Sequence, residues 1–320
     1  MNRRTRAAAV LAALLVAAAC GSDDPDDPTE GARTDTEVSD DPATEAPAFP
    51  VTITAANGDV EIAEEPTAIV SLAPTATEML FAIGAGDQVE AVDDNSNFPA
   101  DVPTTDLSGF EPNIEAIAGY EPDLVVVSND PGALVAGLTG LGIPVLLLPA
   151  AVEVDDTYTQ IEQLGAATGH VGEAAELVGQ MQSDIEEIVA DVPDTPEPLT
   201  YYHELDNTFF SVTSDTFVGR LYSLAGLENI ADEADDGSGY PQLSAEYVIQ
   251  SDPDLVFLAD TKCCGQNAET LAQRPGWDQL TALQSGGVVE LDDDIASRWG
   301  PRIVDLLRIA VERAAAVQPA

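Results

Sequence analysis

One short pattern occurs twice in this chain, and it limits what the chain can fold into. The first copy is Asn113-Ile114-Glu115-Ala116-Ile117, followed by Pro122-Asp123-Leu124-Val125-Val126-Val127; the second is Ser244-Ala245-Glu246-Tyr247-Val248, followed by Pro253-Asp254-Leu255-Val256-Phe257-Leu258. In both, a capping residue stands two positions before a Glu, and Pro-Asp-Leu-Val begins seven positions after it. Asn and Ser are good helix N-caps, and a carboxylate in the first turn is favoured by the helix dipole. The Pro cannot continue a helix, and the apolar run behind it reads as a buried strand. Each copy therefore predicts a short helix feeding a strand. The two glutamates stand 131 positions apart, about the length of one small domain. Duplication of an α/β lobe is the expectation.

The flanking sequence fits it. Val51–Thr54, the turn Asn57-Gly58-Asp59 and Val60–Ile62 predict a hairpin. Ala68–Leu72 predicts a buried strand, after which Thr75 is placed to cap a helix over Glu78–Ile83. A strand at Val89–Val92, a helix over Ala133–Leu141 and a strand at Ile143–Leu148 complete the first half. The second half replays it: a strand at Leu199–Leu205 with Phe209–Val212 as its candidate partner, a helix over Thr216–Leu224, a strand at Gly287–Leu291 and an amphipathic helix over Asp305–Val317. Between the halves, Thr157–Val192 has helical spacing interrupted at Gly169-His170-Val171-Gly172. Twenty residues of helix reach roughly 30 Å, enough to cross between lobes. The predicted fold is α/β: two lobes with central, mostly parallel sheets, joined by one long helix, with a ligand cleft between them. Ligand sites in such sheets form outside the carboxyl ends of strands. That singles out Ser71–Thr75, Asp93–Asn97 and Ser128–Asp130, with Thr75 and Asn129 as candidate contacts.

The chain begins with an export segment. Arg3, Arg4 and Arg6 precede an uncharged run, Ala7–Ala19, too short for a membrane span of about 20 residues. The end of this run, Ala17-Ala18-Ala19-Cys20-Gly21, resembles the lipobox of bacterial lipoproteins, which implies cleavage before Cys20 and its lipidation. Residues 21–48 have almost no large apolar side chain and read as an acidic tether. The whole chain carries 58 acidic against 11 basic residues, a formal net charge of −47. Such a field repels nucleic acid, which is excluded as a partner, and suits a solvated surface in high salt.

With Ser71-Leu72-Ala73-Pro74-Thr75-Ala76-Thr77-Glu78, the two Glu motifs and Arg298-Trp299-Gly300-Pro301-Arg302 in view, the body resembles the vitamin B12, ferric-siderophore and haem binding proteins of ABC importers. The resemblance implies a first lobe at 49–170, an inter-lobe helix at 171–193 and a second lobe at 194–320. It implies that Glu115 and Glu246 dock onto a permease dimer served by a cytoplasmic ATPase. It also implies a bound metal chelate (ferric siderophore, cobalamin or haem) and no cofactor of the protein's own. Phe110 and Tyr240, five and six positions before the two glutamates, are expected to face each other as aromatic walls; simple core packing is the alternative for Phe110. Arg298 is placed to meet an anionic ferric chelate, and Trp299 either stacks on ligand or anchors the core.

His170 at the helix break reads as a local C-cap. His203, at a strand end, is either structural or turned to the cleft. Two histidines and no Cys-x-x-Cys spacing exclude a zinc cluster. Cys263 and Cys264 are adjacent, with Cα atoms about 3.8 Å apart and so below the usual disulfide range. A vicinal disulfide, free thiols and an intermolecular bridge all stay open. No Gly-x-Ser-x-Gly elbow or phosphate loop is present, so no catalytic residue is assigned.

Overall fold

The structure is a computed structural model that describes residues 49–193 and 195–317. The export segment with Cys20 and the tether to residue 48 lie outside the described residues.

The first lobe opens with the expected hairpin, β1 (Val51–Ala55) and β2 (Gly58–Ile62), antiparallel with Ile53 opposite Val60. The Asn57 side chain bonds the carbonyl of Val145 and the N–H of Leu147, tying the hairpin to the sheet behind it. There follow β3 (Ile69–Leu72), α1 (Pro74–Ala82), β4 (Val89–Val92), α2 (Ile114–Ala118), β5 (Leu124–Val127), α3 (Leu134–Gly140) and β6 (Val145–Leu147). Helices α4 (Val154–Thr168) and α5 (Val171–Ala190) lead to the second lobe. That lobe holds β7 (Thr200–Glu204), α6 (Phe217–Leu224), β8 (Glu228–Asn229), α7 (Ala245–Ser251) and β9 (Leu255–Leu258). The short helices α8 (Thr261–Cys264), α9 (Ala268–Ala272) and α10 (Thr281–Ser285) precede β10 (Val288–Glu290), and α11 (Asp293–Ser297) and α12 (Ile303–Ala316) close the chain.

Each lobe has a four-stranded parallel sheet, ordered β4-β3-β5-β6 and β8-β7-β9-β10. The orders superpose strand for strand, so the duplicated motif marks duplicated topology. Its Pro-Asp pair has a concrete job in both copies. Asp123 accepts from the N–H (2.8 Å) and hydroxyl (3.0 Å) of Thr67, just before β3. Asp254 does the same to Thr200, at 2.9 and 3.0 Å, where β7 begins. Each carboxylate thus fixes the start of the neighbouring strand.

Alternation along the strands divides the interior. Ile69, Leu124 and Val126 face a core that continues through Met79 and Leu80 of α1, Leu164 of α4, Met181 of α5 and Leu307 of α12 to Tyr201 and Phe257 of the second lobe. Val70, Leu72, Val125 and Val127 face the other way, onto Ile117, Leu134 and Leu138. Tyr202, Val256 and Leu258 do likewise in the second lobe, onto Val248, Leu271 and Trp277. The first core runs unbroken from lobe to lobe, with α4, α5 and α12 as its shared wall. No helix among the described residues is long and apolar enough to cross a membrane.

Three local expectations are corrected. Thr75 does not cap α1: Pro74 occupies the first helical turn, where its missing N–H costs nothing, Ala73 is the extended N-cap, and Thr75 is buried one residue inside. Phe209–Val212 is not a strand beside β7, whose neighbours are β8 and β9; Phe210 instead bridges Gln242. Gly169, at φ 85°, ends α4, while His170 precedes α5 and its Nδ1 lies 2.9 Å from the carbonyl of Thr168.

Candidate functional site

A cavity of about 510 Å³ lies between the lobes at the carboxyl ends of the first sheet. Leu72, Thr75, Asp93, Phe110 and Asn129 contribute from the first lobe, and Asp294, Ser297, Arg298 and Trp299 from the second. The structure therefore brings together five of the six residues expected to meet ligand: Thr75, Phe110, Asn129, Arg298 and Trp299. Tyr240 does not line this cavity.

Phe110 is 72% exposed and Tyr240 52%, so neither is a core residue. Both belong to a repeat that escapes notice if the copies are compared only from the glutamates: Ser108-Gly109-Phe110 and Ser238-Gly239-Tyr240. In each, the Ser hydroxyl accepts the N–H of the aromatic residue, at 3.3 and 3.0 Å. Gly109 is required by close approach, because a Cβ there would stand 2.6 Å from the carbonyl oxygen of Leu72. The turn presses against the end of β3 and holds Phe110 outward.

Arg298 is committed to the protein. Nη1 donates to Glu78 Oε1 (2.7 Å) and Asn97 Oδ1 (3.0 Å), and Nη2 to the carbonyl of Asn95 (2.9 Å) and Asp294 Oδ1 (2.8 Å). Glu78 is buried on α1 and also receives Arg302, through Nε at 2.9 Å and Nη2 at 2.5 Å. Asp294 spans the lobes again by accepting from Asn97 at 3.0 Å. A carboxylate of one lobe and two guanidiniums of the other thus clamp the cavity's back wall. Trp299 packs on the shared core and also lines the cavity. Its indole N–H donates to Gln160 Oε1 at 3.0 Å, and Thr157 donates to its carbonyl at 2.9 Å, so α4 fixes the ring.

Glu115 and Glu246 are exposed in the first turns of α2 and α7. Asn113 Oδ1 accepts from the N–H groups of Glu115 and Ala116 at 3.0 and 3.1 Å, and Ser244 Oγ from that of Tyr247 at 3.1 Å. Both caps form as the sequence indicates. Cys263 and Cys264 are joined as a vicinal disulfide at the end of α8. The N–H groups of Lys262 and Cys263 donate to the Asp293 carboxylate at 2.9 and 2.8 Å, and Lys262 Nζ meets Asp292 and Asp294 at 2.7 and 2.8 Å. The disulfide loop is thereby fastened to α11, which borders the cavity.

Two buried groups sit deeper in the second lobe. His203 is fully buried, with Nδ1 3.0 Å from the Tyr222 hydroxyl; burial pushes it down to about 3, so it is a neutral core residue and not a ligand-facing one. Asp260 is buried beside Glu204, which Arg274 holds by two hydrogen bonds of 2.6 Å. Burial first, and the Glu204 charge second, push the Asp260 carboxyl up to about 7 against the pull of Arg274.

Residues 69–295 match the family described as "Periplasmic binding protein". The chain is similar to the uncharacterized ABC transporter substrate-binding lipoprotein YvrC of Bacillus subtilis, 31% identical over 308 residues that cover 93% of this chain and 92% of that protein. It is also similar to the cobalamin-binding protein of Halobacterium salinarum, 31% identical over 320 residues, covering 95% of this chain and 83% of that protein. Among solved structures, the vitamin B12 binding protein BtuF of Vibrio cholerae aligns with a TM-score of 0.64 at 24% identity, over 78% of this chain and 96% of that one. The periplasmic heme-binding protein RhuT of Roseiflexus aligns at 0.68 with 23% identity, over 78% of this chain and 99% of that one. At these identities the structural likeness is one of fold.

Proposed function

The chain belongs to the periplasmic-binding-protein family, related to the ABC-importer proteins that bind iron chelates, vitamin B12 and haem, and we propose that its own ligand is a corrinoid of the cobalamin type. It is a substrate-binding protein for metal chelates, corrinoids or haem, and it works outside the cytoplasm. The ligand assignment rests on one observation. Among the described residues, Arg298 is the only cation that lines the cavity, and it is already bound to two carboxylates. An anionic ferric chelate, or haem with its propionates, would enter beside Asp93 and Asp294 with no free positive charge to meet it. A corrin rim carries amides and needs none. The exposed ring of Phe110 and the fixed indole of Trp299 offer it flat apolar surface. The Halobacterium relative's cobalamin agrees with this choice.

In the same reading, Cys20 is lipidated and the acidic segment tethers the body to the outer face of the membrane. Glu115 and Glu246 present one carboxylate per lobe to the two subunits of a permease, a pairing suited to a two-fold partner. Titration of the 49–320 body followed by tryptophan fluorescence tests the ligand, with Trp299 at the cavity and Trp277 buried as its two reporters. Cyanocobalamin is expected to quench with a Kd below about 10 μM and to bind at least tenfold tighter than haemin or a ferric catecholate. Tighter binding of either anionic ligand would overturn the corrinoid assignment.

A further inference from the structure

One acid in the cavity has no cationic partner among the described residues, and only one side chain donates to it. Asp93 follows β4, is 2% exposed and lines the cavity. Its N–H donates to the carbonyl of Ser71 at 3.0 Å, so its backbone is a continuation of the sheet. Its Oδ1 accepts from the Ser96 hydroxyl at 2.5 Å. Ser96 Oγ lies 2.9 Å from Thr77 Oγ1, which in turn donates to Ser71 Oγ at 2.8 Å. Ser71, Thr77 and Ser96 are all buried. The Ser96 hydroxyl, packed among other buried hydroxyls, therefore fixes the direction of Oδ1.

Nothing neutralises it. Among the described residues, Ser96 is the only side chain that donates to Asp93. The nearby guanidinium, Arg298, is spent on Glu78 and Asp294, and the other cavity acid, Asp294, is itself taken by Arg298, Lys262 and Asn97. Burial lifts the Asp93 carboxyl above its usual value, against the pull of the Ser96 hydroxyl. Gly109 packs beside the second oxygen, where a Cβ would stand 3.5 Å from Oδ2, an ordinary contact. A buried acceptor of fixed direction, without a cation, rewards a neutral N–H donor and rejects a carboxylate.

We propose that Asp93 is a specificity-determining residue of this cavity, accepting a hydrogen bond from a primary amide on the corrinoid rim and discriminating against the same rim hydrolysed to carboxylates. The proposal rests on the corrinoid reading and adds to it the group that tells amide from acid. Removing one carboxylate acceptor from a buried pair is worth about tenfold to a hundredfold in affinity.

The test is equilibrium binding of two probes to the intact chain: cyanocobalamin, and a corrinoid whose rim amides are hydrolysed to carboxylates. It is run on the wild type and on Asp93→Asn, which is nearly isosteric, with Asp93→Ser as a second neutral variant. The wild type is expected to prefer cyanocobalamin by at least about thirtyfold, and both variants to lose at least tenfold of that preference. Their unchanged thermal melts would show that the fold is kept, and if one variant melts early the other decides. Wild-type binding with the preference intact in a folded variant overturns the role of Asp93 and leaves the corrinoid reading standing. Failure of the wild type to bind either corrinoid overturns the functional reading, and this inference with it.

Discussion

Reversing the two charges proposed to dock, Glu115→Lys with Glu246→Lys, is expected to reduce import to below about a tenth of wild type while leaving ligand affinity within about twofold. The two carboxylates are exposed, lie in the first turns of equivalent helices and take no part in the cavity. Their loss costs each helix a dipole interaction of about 0.3–1 kcal/mol, which a body of this size tolerates. Across a docked interface the same change is much more damaging, because it sets a cation against a surface built to receive an anion, and like charges in contact cost several kcal/mol. Each single reversal is expected to give partial loss, since one lobe still engages. Uptake of labelled ligand by cells depending on this protein, beside binding by the purified variants, separates docking from capture. Normal uptake in the double variant would show that the permease recognises another surface.

Glu78→Ala is expected to destabilise the body by about 3–5 kcal/mol, the usual cost of stranding a buried charge. The Glu78 side chain is 1% exposed and holds two guanidiniums of the other lobe, themselves 9% and 16% exposed. Truncation leaves both cations in a wall that has excluded water, with Asp294 still on Arg298 and no carboxylate on Arg302. Glu78→Gln keeps an acceptor oxygen and is expected to lose less. Urea unfolding of the 49–320 body measures both, and a loss below about 1 kcal/mol for the alanine variant would mean that the clamp is solvated. The same change removes one of the two carboxylates on Arg298 and leaves it Asp294, so the surviving folded fraction should discriminate less against anionic chelates than wild type does.

The parts of this fold that could be read from sequence are those fixed by local chemistry. The caps of α2 and α7, the Asn-Gly hairpin and the buried strands depend on residues within a few positions of one another, and each formed as expected. The duplication was visible because both copies keep the same local signals. The second half of each signal, Pro-Asp, looked like a strand start, yet its acids work by reaching Thr67 and Thr200, 56 and 54 residues away. No local rule contains such a contact. Arg298 shows the same limit more sharply. Alone in a loop it reads as a cation awaiting an anion, but it already holds two: Asp294, four residues earlier and open to a local reading, and Glu78, 220 residues earlier and beyond any. Thr75 misled for a smaller reason, since a Thr after Pro suits a cap until the Pro itself is placed inside the helix. The Ser-Gly-aromatic repeat could have been found by extending the comparison of the two copies towards their N-terminal sides.

A crystal structure of the 49–320 body grown with cyanocobalamin tests most directly whether a corrinoid is held between the two lobes. The corrin is expected to fill the inter-lobe cavity, against Phe110 and Trp299, with a rim amide nitrogen within about 3.2 Å of the Asp93 carboxylate. A corrin bound elsewhere on the body, or a cavity left empty at saturating cyanocobalamin, would contradict it.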